Sequence, residues 1–190
     1  LSNLPGCTPR AMLRTWALVF AGNFLGAMTT AIFMATILTM GFTQEAGDVG
    51  QKLRTIGEAR TLGDAEAGIG GMTTLFIRAV MCNWMVSTGV VAAIMSTSVS
   101  GKVIAMWMPI LIFFYLGFEH SVVNMFLFPA GLLLGAGFTW ADYLLYTEIP
   151  TVLGNLAGGI TFVGATIYST YYRHNGVSPE TAVDAPLENV

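Results

Sequence analysis

Charge is scarce in this chain. Of its 190 residues only 10% are Asp, Glu, Lys or Arg, 54% are hydrophobic, and the mean hydropathy is +0.67, a balance that soluble domains rarely show. Cysteine is scarce too: Cys7 and Cys82 are far apart and form neither a metal site nor a disulfide framework, so both read as structural thiols. The net charge of −3 and the lack of a basic cluster argue against a nucleic-acid partner and against an anionic-lipid patch. Histidine occurs twice, as His120 and His174. "EHSVV" does not supply the paired helical histidines of a zinc protease, and His174 falls at a helix end, so a two-histidine haem lacks its second ligand. Neither a metal nor another cofactor is expected, and an intramembrane enzyme or redox subunit is disfavoured. The opening "LSNLPGCTPR" has no signal-peptide pattern and does not begin with Met, so the chain reads as a partial one.

What is there is long uncharged sequence. A helix needs about 20 apolar residues to cross roughly 30 Å of hydrocarbon. Windows bounded by charged residues predict spans at about 15–42, 79–100 and 149–172 within a membrane domain of residues 1–173, followed by a polar, disordered tail at 174–190. Between the second and third windows lies 103–141, which as one helix would stretch about 58 Å, nearly twice the membrane. Two full crossings, or one crossing whose helix is interrupted, both fit that length. The interrupted crossing is favoured, because a 16-residue first span is short and "FEHS" offers only Gly117 as a turn residue. Pro129 beyond it suits a helix that stops or bends. One crossing also places Arg10, Arg14, Lys102 and Arg173 on one side, against Lys52, Arg54 and Arg60 on the other, a weak positive-side majority.

A short pattern repeats. "AGNFLGA" at 21–27 returns as "LGNLAGG" at 153–159, with Gly22 and Asn23 matching Gly154 and Asn155. Two independent small-residue helix contacts would explain this, and so would an inverted internal repeat of the transporter kind. In the second case the chain holds the last helix of one half and all of the other.

Glu119 and His120 then stand out in "GFEHSVVNM" at 117–125. Ionisable groups at membrane depth are expensive and by default mark a pathway or relay. Glu119 reads as architectural, accepting hydrogen bonds from amides such as Asn83, Asn124 and Asn155 that hold a broken backbone in shape. His120 reads as functional, since imidazole exchanges protons near physiological pH. Arg78 at the start of the second window is expected to snorkel. Lys52, Arg54 and Arg60 sit in what reads as a long polar loop and call for no special role.

"GFEHSVVNM", "CNWMV" at 82–86 and the two "GN" pairs, in that order, resemble the motifs of the formate/nitrite transporter family of bacterial monovalent-anion channels. The resemblance implies an all-α, aquaporin-like bundle of inverted repeats, of which this chain covers helices three to six, with the break near 117–125. It implies a homopentamer in the lipid bilayer of a bacterial inner membrane, with one pore per protomer passing small monovalent anions and protons. His120 would be the central pore histidine. Glu119, Asn83 and Asn124, together with Asn155 and Asn23, would form the supporting network, and Phe113 and Val86 would be the constrictions. The family usually carries a lysine near the start of its fourth helix, where this sequence reads Glu66, Ala67, Gly68. The alternatives are a water or neutral-solute channel, disfavoured because no "NPA" tripeptide occurs, and a membrane subunit without transport of its own.

Overall fold

A Thr-Pro pair starts the first long helix. Thr8 accepts the Ala11 N–H on its hydroxyl at 3.1 Å, and Pro9 occupies the first turn, where its missing N–H costs nothing. Helix α1 (Pro9–Leu38) follows, the first element of a computed structural model that describes residues 8–170. Gly41, at φ +75°, turns the chain toward α2 (Asp48–Glu58), which continues through a wide i→i+5 turn at Ala59–Gly63 into the short α3 (Asp64–Glu66). A corner at Gly68 (φ +62°) opens α4 (Gly68–Met95), and α5 (Val99–Tyr115) starts on Ser98, whose hydroxyl accepts the Gly101 N–H. Next come α6 (Ser121–Leu133), α7 (Trp140–Asp142), α8 (Ile149–Gly158) and α9 (Ala165–Tyr168). Wide turns at Tyr143–Glu148 and Gly159–Gly164 join the last three into one helix, Trp140–Tyr168. A reciprocal Thr139–Asp142 capping box starts it.

Three helices, Pro9–Leu38, Gly68–Met95 and Trp140–Tyr168, are long and apolar enough to cross a membrane. Their surface explains the composition: Leu13, Leu18, Ile37, Ile94, Met95 and Ile160 are all exposed, while Glu119, Asn124, Thr147 and Glu148 are buried. That inside-out distribution suits a hydrocarbon solvent, which welcomes apolar side chains and leaves polar ones to find partners inside. Helix α4 packs between α8 and α5, and α1 lies along α6. Helix α2 crosses α6, where Leu53 and Ile56 join Leu127, Phe128, Phe138 and Tyr143.

The helix limits fall N-terminal of the uncharged windows 15–42, 79–100 and 149–172. Charged residues do not end these helices, because each has an outlet: Arg10 and Arg14 are exposed on α1, Arg78 has an ionic partner, and Glu148 is enclosed within the Trp140–Tyr168 helix. Within 103–141 two helices are separated by residues 116–120. Pro129 neither stops nor ends the second of them: it is buried inside α6, which runs on to Leu133. Lys52, Arg54 and Arg60, read from sequence as lying in a long polar loop, are in helical segments. Cys7, Arg173, His174 and the tail 174–190 lie outside the described residues.

Candidate functional site: the broken helix and the network behind it

The break begins where α5 runs out of backbone partners. The Leu116 N–H still donates to Ile112 O, but Gly117 adopts φ +67°, a conformation that a side chain would strain. Phe118 N–H then bonds back to Phe113 O at 3.0 Å. His120 is extended at φ −122°, ψ 121°, and α6 starts directly after it with no side-chain cap. A helix start at this depth leaves first-turn N–H groups without intrahelical partners.

Asn155 on α8 meets part of that need. Its Oδ1 accepts the Ser121 N–H at 3.0 Å, while its Nδ2 donates to Glu119 O at 2.9 Å and to Ala79 O at 2.8 Å. One amide therefore ties the residues on either side of His120, at the start of α6, to α4, and only one orientation of the amide satisfies all three bonds. Asn83 on α4 donates to the Asn155 backbone carbonyl at 2.6 Å, so it braces the clamp without itself touching the Glu119 carboxylate. Glycines make this approach possible. A Cβ on Gly154 would fall 2.6 Å from Ala79 Cβ, and one on Gly158 would collide with the Val80 carbonyl.

Glu119 is fully buried. Its Oε2 accepts from Asn124 Nδ2 at 3.1 Å, and the same nitrogen lies 3.4 Å from Thr151 Oγ1. Its Oε1 faces Arg60 Nη1 at 3.2 Å. The expectation that Arg60 has no special role is therefore overturned, for a buried carboxylate persists only when paired, and the wide turn after α2 delivers the cation. Glu66, Ala67 and Gly68 make no ion pair among the described residues. Arg78 also has an ionic partner: its Nη1 lies 3.5 Å from Asp64 Oδ2. Burial pushes the Asp64 carboxyl above its ordinary value, against the opposing pull of Arg78 and Arg60.

His120 is held differently. Its ring stacks on Phe113 with centroids 5.8 Å apart, and Nδ1 has no hydrogen-bond partner. Phe113 is buried and in turn stacks on Phe114. Val86 lies one turn beyond Asn83 on α4 and is half-buried. The structure thus gathers Glu119, His120, Asn83, Asn124, Asn155 and Phe113 around the break. Asn23 is not brought there: it is exposed on α1 and makes no hydrogen bond among the described residues. Arg60, Thr61, Thr147 and Thr151 belong to the network and were missed, with Thr147 Oγ1 donating to Thr61 Oγ1 at 3.2 Å. The spacing of Thr147, Thr151 and Asn155 at successive helical turns was a legible signal, a polar stripe on an apolar helix.

Fold and site together define an α-helical, multi-pass membrane protein of the aquaporin-like class with an interrupted helix at its centre. The sequence profile described as "Formate/nitrite transporter" matches residues 6–169, and the chain belongs to that family, one of transporters rather than enzymes. A "Probable formate transporter" of Methanothermobacter thermautotrophicus is 37% identical over 169 residues, covering 85% of this chain and 60% of its own length. "Formate channel FocA" of Haemophilus influenzae is 33% identical over 176 residues, covering 83% and 58%. The chain therefore spans little more than half the length of these relatives. A solved "Pentameric formate channel with formate bound" shares the fold, with a TM-score of 0.70 at 24% identity over 85% of this chain and 67% of that one.

Proposed function

We propose that the chain forms part of a channel or proton-coupled transporter for small monovalent anions of weak acids, formate or nitrite foremost, and that His120 is its central pore residue. The observation that carries this is the state of His120: a partly exposed imidazole at a helix break, stacked on Phe113, with Nδ1 unbonded. Asn155 and Asn83 are committed to backbone groups and Asn124 to Glu119, so His120 is left to meet what passes. The uncapped N-terminus of α6 beside it offers N–H groups and the positive end of a helix dipole to an anion.

A bare anion between apolar constrictions meets a high barrier, and its conjugate acid a lower one. A proton delivered from or through His120 supplies the neutral form, with Phe113 and Val86 as the constrictions. Arg60 serves the architecture, because its charge is spent on Glu119. The names of the relatives support formate as cargo, and the pentameric neighbour supports a homopentamer; one pore per protomer and the inner membrane of a bacterium complete the proposal.

The test replaces His120 with Asn in the full-length protein and measures formate uptake against pH in liposomes. Uptake should lose its pH dependence. An unchanged profile would remove His120 from the mechanism, and passage of water or glycerol without formate would favour a neutral-solute channel.

A further inference from the structure

The network contains an acid that the pore does not use. Glu148 is 3% exposed, and its Oε2 accepts a hydrogen bond from the Tyr143 hydroxyl at 2.9 Å. Its Oε1 has no partner, and among the described residues no Lys, Arg or His lies within ion-pair distance of it. The backbone makes this pair. In an α-helix, residues five apart point about 140° away from each other, whereas the i→i+5 turn of Tyr143–Glu148 stacks them on one face. Such wide turns recur at functional sites.

Counting charge sharpens the point. The segment around Glu148 packs against the Ala59–Gly63 turn, α6, α7 and α8. The charged or titratable groups these bring are Arg60 from the turn, Glu119 and His120 from the residues leading into α6, Asp142 from α7, and Tyr143 and the exposed Tyr146 from the segment itself. Asp142 is turned to Thr139, and Arg60 is committed to Glu119. The Tyr143–Glu148 segment packs directly on the turn that carries Arg60, and Arg60 reaches Glu119. The one guanidinium answers Glu119, and no cation answers Glu148. Charge balances only with one more cation, and the unbonded Oε1 is where the smallest cation fits.

We propose that Glu148 is a proton-binding site, a carboxylic acid stored behind the pore and separate from His120, whose release of a proton places a second negative charge beside the Glu119–Arg60 pair. An uncompensated carboxylate in an apolar interior costs far more than a neutral acid with one unsatisfied group. The Tyr143 hydroxyl serves the neutral form well, donating to the carbonyl oxygen while Oε1 carries the proton. Deprotonation would pull on Arg60 and thereby loosen the carboxylate that holds the break, giving the transporter a pH response beyond that of the imidazole.

Infrared difference spectroscopy between acid and alkaline buffers, on the full-length protein in lipid, tests the assignment without relying on transport. The wild type should show the carbonyl band of a protonated carboxyl at neutral pH. The band should vanish in Glu148→Gln, persist in Glu119→Gln, and move to higher frequency in Tyr143→Phe, which removes one donor and little volume. A wild type without the band overturns the proposal, as does a band untouched by Glu148→Gln. If Glu148→Gln does not assemble, an unshifted band in Tyr143→Phe overturns it instead. Formate uptake by the same wild-type liposomes reports separately on the transport reading, so either can fail alone.

Discussion

The two copies of the glycine-asparagine pattern have very different surroundings. On α8, Gly154 and Gly158 lie against the α4 backbone, and Asn155 makes three bonds that close the helix break. On α1, a Cβ on Gly22 or Gly26 would meet nothing within 4 Å, and Asn23 is exposed. Helix α1 packs on α6 elsewhere along its length, around Ala31 and Ala35. The motif is therefore an offer of contact rather than a contact. Whether it is taken up depends on a second backbone with broken hydrogen bonds lying opposite.

The largest effect expected from that contrast is Gly158→Leu, which drives a side chain into the Val80 carbonyl and should cost more than about 3 kcal/mol or prevent folding. Gly26→Leu should shift stability by less than about 0.5 kcal/mol in this chain, measured by reversible unfolding in mixed micelles. Equal damage from Gly26→Leu in the full-length protein would mean that elements beyond the described residues take up the first copy, and the contrast would dissolve. Arg60→Met comes next. Stranding the buried Glu119 should cost about 3–5 kcal/mol, and adding Glu119→Met should recover much of it in a double-mutant cycle. Asn155→Leu should cost about 1–3 kcal/mol by leaving buried backbone groups unpaired, while Asn23→Leu in the same assay should be neutral. The smallest loss expected at the break itself is Gly117→Ala, about 1 kcal/mol for a methyl group at positive φ, read as a lowered unfolding midpoint.

The break itself was legible because its causes are local. Gly117, Glu119, His120 and Asn124 lie within one short stretch, and the Glu119–Asn124 bond joins neighbours in the chain. The amide clamp was half legible: Asn83 and Asn155 stood out as polar residues at membrane depth, but which atom each would serve did not. Arg60 was hidden, since a basic residue in a polar stretch looks solvated until the chain folds it onto an acid 59 residues away. The span limits were drawn at charges, and the helices run past those charges toward the N-terminus. Arg78 and Glu148 found other surroundings.

By itself the sequence determined the solvent and the interruption. Apolar windows of membrane length demand hydrocarbon outside, and an acid and an imidazole set after a glycine cannot continue a lipid-facing helix. Only the tertiary structure decided which groups answer each other. Arg60 goes to Glu119, Asn155 to the backbone of Glu119 and Ser121, Asn83 to Asn155, and Tyr143 to Glu148, whose other oxygen stays open. The reason is range. Hydropathy accumulates along the chain and can be read from it, whereas hydrogen bonds and buried ion pairs act over about 3 Å between residues that only folding brings together.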